Sequence, residues 1–315
     1  MIRLTKIIVY VVAEILVVAT VVASASQAHA ETVISFNWGK GIQGSGKIVE
    51  VQRAVPAFDS VSVQDGIRVV FRQSAGQKLT IKADDNIEPL VEARIDGTTL
   101  KLKMRPRSSF RTAHPVMVNL DYTQLNMLSL SDGAHGDLDV VKTATLMVNV
   151  NDGAQLRINE ASVSAFDLSV KDGSSANIGK VLNAATQRYR VVDGAKLTVD
   201  NASGDRISIS VLDGARMTLR SLDTKAIDLS VADGARAEIA GTAQQQSYAL
   251  SDAASVDAQR LQGASAQVRA SDGSVLKLGL VQTLNADVQD GSSARYTGDP
   301  AITKRLRDGA TIKRI

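Results

Sequence analysis

The sequence predicts an all-β chain folded as a right-handed, single-stranded parallel β-helix of about ten coils of roughly 20 residues each, preceded by an irregular N-terminal cap. Three observations predict this fold. An Asp-Gly bend recurs at regular intervals, apolar residues alternate around each bend, and aromatic residues make up only 3% of a chain without cysteine. A narrow core of Val, Ile, Leu and Ala suits stacked coils better than a globule packed around large rings.

The bends occupy the C-terminal part of the chain, residues 128–315. Successive bend Asp residues are 20, 20, 21, 20, 20, 19, 20, 18 and 18 positions apart. One coil of a parallel β-helix has this length, whereas a propeller blade needs about 40 residues. The residues predicted to form a structural turn ladder are Asp132, Gly133, Asp152, Gly153, Asp172, Gly173, Asp193, Gly194, Asp213, Gly214, Asp233, Gly234, Asp252, Asp272, Gly273, Asp290, Gly291, Asp308 and Gly309.

Alternation around each bend assigns the strands. Leu146, Val148 and Val150 precede Asp152, and a period of two places their side chains on one face of an extended strand. The alternation resumes after the bend. Each unit is therefore predicted to be two short strands around a sharp corner, followed by a variable loop.

The corner residues have a backbone reason for their positions. Gly reaches positive φ without strain, and Asp is expected to fold its carboxylate onto nearby backbone N–H groups as an Asx-type turn. The next residue is always Ala or Ser, which lets equivalent corners stack. Ala253 replaces the Gly at one corner, which we expect to be strained or differently shaped.

Residues 31–127 are less regular and are predicted to be a cap merged with the first coils. Residues 61–71 contain Asp65-Gly66 and read as an early coil. Residues 90–93 are a short helix candidate, and residues 100–104 and 116–120 read as strands. We treat residues 31–315 as one continuous domain.

The N-terminus predicts export. Arg3 and Lys6 precede an apolar run over residues 7–23, and Ala28-His29-Ala30 has the small-x-small pattern of a signal peptidase site. The expected signal peptide is residues 1–30, with cleavage after Ala30 and a periplasmic, outer-membrane-associated or extracellular destination. A retained membrane anchor is the alternative, and Glu14 inside the run argues against it.

Further motifs stand beside the repeated corners: Gly44-Ser45-Gly46-Lys47 opens the mature part, residues 58–63 read as a strand, and residues 97–102 read as a turn and strand. With these motifs and the corners, the mature sequence resembles the head GIN domain family of putative auto-transporter adhesins. Family members commonly carry Ser-Gly-Ala-Ser at the corner, where this chain has Asp-Gly-Ala or Asp-Gly-Ser. The resemblance implies a secreted or envelope β-helix and brings no catalytic residues with it.

Several motifs have a chemical interpretation beside a structural one. The corner carboxylates could bind Ca²⁺ or serve as paired acids, but the Gly-Gly-x-Gly-x-Asp pattern of calcium β-rolls is absent and a turn role is favoured.

Residues 41–47 spell Gly-x-x-x-x-Gly-Lys without the following hydroxyl residue, so nucleotide binding is not expected. The basic run of residues 101–111 suits either anionic ligands or a solvated strand face. His114 and His135 stand isolated in the sequence, as does Trp38.

Composition narrows the function further. The formal net charge of +3 gives no reason to expect nucleic-acid binding, and the absence of cysteine excludes disulfides and thiolate chemistry. We expect no catalytic residue, metal or cofactor. The leading hypothesis is an adhesin-like module that binds a cell-surface glycan or another envelope component. The alternatives are a polysaccharide-active enzyme on the same scaffold and a purely structural envelope protein.

Overall fold

The computed structural model describes residues 41–106 and 109–315. The predicted signal peptide, its cleavage site and Trp38 lie outside the described residues. Regular structure in the described part is β-strand apart from one 3₁₀ turn at Glu88–Leu90. No helix in this part of the chain has the length and apolar character needed to cross a membrane.

Nine strands form the N-terminal part of the fold. They are β1 (Ile42–Gln43), β2 (Ile48–Arg53), β3 (Ser60–Val63), β4 (Arg68–Gln73), β5 (Lys78–Asp84), β6 (Val91–Asp96), β7 (Thr99–Met104), β8 (Phe110–Arg111) and β9 (Met117–Tyr122). The helix predicted at residues 90–93 is wrong. Val91 already begins β6, which pairs antiparallel with β7 along its whole length.

The repeat contains the remaining strands. They are β10 (Met127–Leu130), β11 (His135–Val150), β12 (Gln155–Val170), β13 (Ser175–Val191), β14 (Lys196–Val211), β15 (Arg216–Val231), β16 (Arg236–Leu250), β17 (Ser255–Gln262), β18 (Ser265–Ala270), β19 (Val275–Leu280), β20 (Thr283–Val288), β21 (Ser293–Thr297), β22 (Ala301–Leu306) and β23 (Thr311–Arg314). The solenoid has about nine turns. The prediction of about ten coils was a count of the corners. Ten corners are separated by nine turns of chain.

Neighbouring coils of the repeat run parallel and in register. Val150 pairs with Val170, Val170 with Val191, and Val191 with Val211. Each of these side chains is at most 1% exposed. Equivalent apolar residues therefore lie directly over one another, and the predicted parallel β-helix is confirmed.

Each full coil has three straight segments. The buried side chains of β12 fall into three groups, Leu156 and Ile158, then Ala161 and Val163, then Phe166, Leu168 and Val170. Two successive outward residues separate one group from the next and turn the strand without ending it. The predicted variable loop is wrong, because this segment keeps its ladder pairing, from Val140 with Glu160 to Thr143 with Val163.

Changes in coil length are absorbed at the bends between segments. The 21-residue step from Asp172 to Asp193 contains Asn183, whose φ is +63°, and the pairing with the preceding coil shifts register there. One extra residue is thus accommodated as a β-bulge. The corners on either side keep their alignment.

The cap is assembled out of sequence order. β3 and β4 form a coil around the Asp65-Gly66 corner and pair on one side with β10 and β11. On their other side they pair with β7 and β9. The chain thus makes one coil, covers the outer end of that coil, and returns to start the repeat from the opposite side.

Antiparallel strands complete this end of the solenoid. β5 pairs with β9, and β2 pairs with β5. Arg53 ties β2 to the turn before β6, because its guanidinium bonds to Glu88 Oε1 at 2.6 Å and to the carbonyl oxygen of Val91 at 2.5 Å. Such a closing layer pairs backbone groups that an open sheet edge would leave free.

Candidate functional site

Each predicted corner is a turn whose two central residues are both left-handed. In the repeat, the Asp φ values lie between +51° and +57° and the Gly φ values between +66° and +73°. The N–H of Ala215 donates to the carbonyl oxygen of Leu212 at 3.1 Å and closes the turn around Asp213-Gly214. This is the geometry of a type I′ β-turn.

The corners are also bonded to one another along the axis. The N–H of Gly214 donates to the carbonyl oxygen of Asp233 at 2.9 Å, and the same bond links each corner to the next throughout the solenoid. Ala253 has the same shape as the glycines it replaces, with a φ of +56° and a bond of 2.9 Å to the carbonyl oxygen of Asp272. The structure therefore brings all the predicted ladder residues into one column.

The corner carboxylates point into solvent, so the expected Asx-type turn is wrong. All ten Asp residues of the repeat ladder are exposed, and none accepts a hydrogen bond from a backbone N–H of its own turn among the described residues. The physical reason is that the turn's N–H groups are already used by the type I′ bond and by the next corner. Asp is suited to the position because it tolerates a left-handed φ.

The small residue that follows the turn is buried beneath every corner of the repeat except the last, where Ala310 is half-buried. Ala195 and Ala215 are fully buried, and Ser274 and Ser292 place their hydroxyls 3.3 Å apart on neighbouring coils. Within residues 41–106 and 109–315, no group of three His, Asp or Glu side chains is arranged to hold a metal ion. The ladder thus offers a backbone column with solvated acids on its outside.

Lys101 and Lys103, which begin the basic segment predicted at residues 101–111, lie on strand β7 and face acids on β6. Lys101 Nζ lies 2.5 Å from Asp96 Oδ2, and Lys103 Nζ lies 3.9 Å from Glu92 Oε2, both across the β6–β7 pair. The hydrogen bond from Lys101 and its charge lower the pKa of Asp96. These contacts support the solvated-face interpretation.

Residues 41–47 dock against acidic groups. Ser45 Oγ donates to Asp85 Oδ1 at 2.6 Å, and Lys47 Nζ lies 3.5 Å from Asp85 Oδ2. The Ser45 hydrogen bond is the main cause that lowers the pKa of Asp85. A carboxylate in this position opposes a bound phosphate, because like charges at short range repel.

His114 is not isolated in the fold, contrary to its appearance in the sequence. Its Nδ1 lies 3.5 Å from Asp84 Oδ1, in a carboxylate that is 1% exposed. Thr112 Oγ1 donates to the other oxygen of Asp84 at 2.5 Å. The contacts of His114 and Thr112 with Asp84 connect the segment after β8 to the end of β5.

One polar surface of the described repeat lies just before the corners. Two outward positions of the strand segment that precedes each corner stack in register over eight coils, which we call the polar face. The first column is Asp167, Arg188, Ser208, Asp228, Ser247, Gln267, Asn285 and Thr303. The second column is Ser169, Arg190, Ser210, Ser230, Ala249, Arg269, Asp287 and Arg305. Seven steps between coils give the face a length of about 34 Å.

Three shallow hollows join along this face. The first, of about 450 Å³, runs from Asp167 to Ala249. The second, of about 640 Å³, shares Asp228 and Ser247 with the first and continues to Thr303. The third, of about 440 Å³, lies beside it between Ser230 and Arg307. Small side chains form the floor where the three hollows meet.

Ion pairs neutralise two of the three acids in these columns. Arg206 Nη2 lies 2.7 Å from Asp228 Oδ2, and Arg307 Nη2 lies 3.0 Å from Asp287 Oδ1. Beneath the face, Tyr189 and Tyr248 are buried, and burial raises the pKa of both phenols. They stay neutral and hold the strand segments from inside.

The polar face was missed at the level of sequence. Its residues occupy the outward positions between the apolar residues that define the repeat, and they differ in type from coil to coil. The sequence feature that could have indicated the face is the absence of large apolar residues at these outward positions over consecutive coils. Ser, Thr, Asn, Gln, Asp and Arg fill nearly all of these positions.

Comparison with solved structures finds one chain of the same fold and two weaker matches. A putative adhesin from Parabacteroides merdae is 15% identical with a TM-score of 0.55, and the match covers 87% of this chain and 99% of that one. A putative adhesin from Parabacteroides distasonis is 16% identical with a TM-score of 0.47, covering 88% and 100% of the two chains. A putative lipid binding protein from the same species is 15% identical with a TM-score of 0.44, covering 88% and 100%.

A search of the curated proteins gave no match. The family model described as putative auto-transporter adhesin, head GIN domain, matches residues 57–191 and again residues 180–300. The two matches span the first coil, the part of the cap after β2 and nearly all of the repeat. The chain therefore belongs to the family of putative auto-transporter adhesins with a head GIN domain.

Proposed function

We propose that this protein is an exported, adhesin-like binding protein of the cell envelope that holds an extended glycan along the polar face without cleaving it. The observation that carries the proposal is the pair of polar columns in register over eight coils, with three hollows joined along them. Family membership supports an adhesin-like surface protein.

The spacing of the columns suits a linear sugar polymer. Parallel coils repeat every 4.7–4.9 Å or so, which is close to the length of one sugar unit in an extended glycan. Hydroxyls and amides such as Ser208, Ser247 and Gln267 can pair with sugar hydroxyls at each step. Many weak contacts in series then add up along the chain.

The acids of the face are too far apart for a glycosidase. Asp167 and Asp228 are three coils apart in the first column, a separation of about 14 Å. Glycosidases hold their two carboxyl groups roughly 5 to 9.5 Å apart. Asp228 is also neutralised by Arg206. These distances favour binding over hydrolysis.

The test is a titration of the purified protein with neutral and acidic polysaccharides and with their oligosaccharides of increasing length, by isothermal calorimetry. Affinity should rise with oligosaccharide length until the chain spans the face. Release of reducing ends should stay at the level of the blank. Turnover of any polysaccharide would favour the enzyme alternative.

A blocking variant locates the site. Ser210→Trp places a large side chain on the floor of the hollows, whereas Thr198→Trp places it on the same strand, β14, beyond the face. We expect Ser210→Trp to lose glycan binding and Thr198→Trp to keep it. Binding to no polysaccharide, or equal binding by both variants, would contradict the proposed function; the first result would favour a purely structural role.

A further inference from the structure

We propose that the glycan is acidic and that Arg188, Arg190 and Arg269 bind its anionic groups. This inference rests on the proposed function, because it names the chemistry of the ligand for the same face. The face keeps unpaired positive charge once its ion pairs are formed.

Arg188 and Arg190 project side by side from β13. They are two positions apart on one strand, so both side chains point outward from the same face, and both are exposed. Arg269 lies four coils further along the second column and is exposed as well. Among the described residues, none of the three arginines makes an ion pair with a carboxylate.

The acids nearby do not cancel this charge. Asp228 and Asp287 already pair with Arg206 and Arg307 at 2.7 Å and 3.0 Å. Asp167, next to Arg188 in the first column, is the one acid of the two columns without such a partner among the described residues. Arg305 at the end of the second column is exposed and unpaired as well, so four cations of the columns face one unpaired acid among the described residues.

The arrangement has cations at two places with hydroxyls between them. Arg188 and Arg190 line the first hollow, and Arg269 lines the third. About 19 Å of small polar floor, four coil steps, separates Arg190 from Arg269. Guanidinium groups bind carboxylates and sulfates through two parallel hydrogen bonds. A sugar chain with anionic groups some four units apart fits this pattern.

The chain offers a matched control on another face. Lys196 and Arg216 are exposed cations on neighbouring coils, directly after their corners rather than before them. Removing two charges there changes the net charge equally and leaves the polar face intact. Arg188→Gln with Arg190→Gln can thus be compared with Lys196→Gln with Arg216→Gln.

The experiment measures the affinity of the full protein and both double variants for polygalacturonate, dextran sulfate and neutral dextran at two salt concentrations. We expect wild type to prefer the acidic polymers at least tenfold over neutral dextran. The Arg188/Arg190 variant should lose about that preference, and the Lys196/Arg216 variant should stay within twofold of wild type. The two acidic polymers distinguish a carboxylate from a sulfate ligand.

Three outcomes would overturn the inference. Equal binding of neutral and acidic polymers that Ser210→Trp still abolishes would leave the proposed function intact and remove the acidic ligand. An equal loss in both double variants would show non-specific attraction to a cationic protein. Binding to none of the polymers would remove the proposed function as well.

Discussion

The Tyr189 hydroxyl donates a hydrogen bond of 2.6 Å to Gln187 Oε1, and both side chains are buried under the polar face. Gln187 Nε2 in turn donates to the carbonyl oxygen of Ser203 at 2.9 Å. Tyr248 and Gln246 repeat the pair three coils further on, at 2.7 Å. The core thus contains two hydrogen-bonded Tyr-Gln pairs, which fix the strand segments that carry the face.

Tyr189→Phe should lower the free energy of unfolding by about 1 to 3 kcal/mol, because it leaves a buried amide oxygen without a donor. Urea denaturation followed by circular dichroism measures the loss. Adding Gln187→Leu to this variant should cost less than the sum of the two single changes. Strict additivity would show that the two side chains do not act as a pair, and Tyr296→Phe at the half-buried last coil is the control.

Stability should fall at alkaline pH because of the buried phenols. Burial raises the pKa of Tyr122 to about 12 and those of Tyr189 and Tyr248 further. The unfolded chain releases these protons from about pH 10, while the folded chain keeps them, so the stabilisation is complete below pH 10 and is lost as pH rises above it. Measuring the free energy of unfolding at intervals between pH 8 and 11.5 gives the slope of this loss against pH.

The matched variant for this effect is Tyr122→Phe. Its free energy of unfolding should fall less steeply between pH 10 and pH 11.5 than that of wild type, since one proton-releasing group is removed from the unfolded state. Identical slopes of unfolding free energy against pH in the two proteins would contradict the assignment of the alkaline loss to the buried phenols. Lysine deprotonation affects both proteins alike and cancels in the comparison.

The regular part of the fold was readable from sequence because one local rule repeats. Alternation and Asp-Gly spacing were enough to stack Val150 on Val170, since a shift by one residue would turn every apolar side chain outward. The role of the carboxylate was misjudged for a physical reason. A type I′ turn whose N–H groups are bonded within the turn and along the axis leaves no backbone donor for Asp213.

The cap and the polar face could not be read in the same way. The order in which β7, β3 and β10 pair depends on contacts between residues far apart in sequence, such as Val61 with Leu100 and with Leu128. The face depends on which outward residues become neighbours across coils. No local sequence pattern marks Arg188 or Asp228. Their position on the face can be assigned only once the register between coils is known.

Ala253→Gly should stabilise the protein by about 0.5 to 1 kcal/mol. Ala253 has a φ of +56°, and a left-handed L-residue costs about 1 to 2 kcal/mol, part of which the greater freedom of Gly in the unfolded chain offsets. Gly234→Ala in the preceding corner is the reciprocal change, and an added Cβ there meets no atom within 4 Å. It should lose a similar amount; if both variants melt like wild type, corner φ does not limit stability.

Gly204 and Gly263 allow two coils to approach the buried Tyr-Gln pairs. A Cβ at Gly204 would lie 2.0 Å from the carbonyl oxygen of Ala184 and 3.1 Å from Gln187 Nε2. A Cβ at Gly263 would lie 1.9 Å from the carbonyl oxygen of Ala243. The closest atom is backbone in each case, so a rotamer change cannot relieve the contact.

Gly204→Ala should therefore force neighbouring coils apart and lower the free energy of unfolding by about 3 kcal/mol, near the upper end for overpacking. Gly76→Ala is the matched control, because a Cβ there meets nothing within 4 Å and its φ is not left-handed. Chemical denaturation should leave the control within about 0.5 kcal/mol of wild type. A Gly204→Ala protein as stable as the control would mean that the coils can separate at no cost, which is incompatible with the Tyr189–Gln187 pair fixing them.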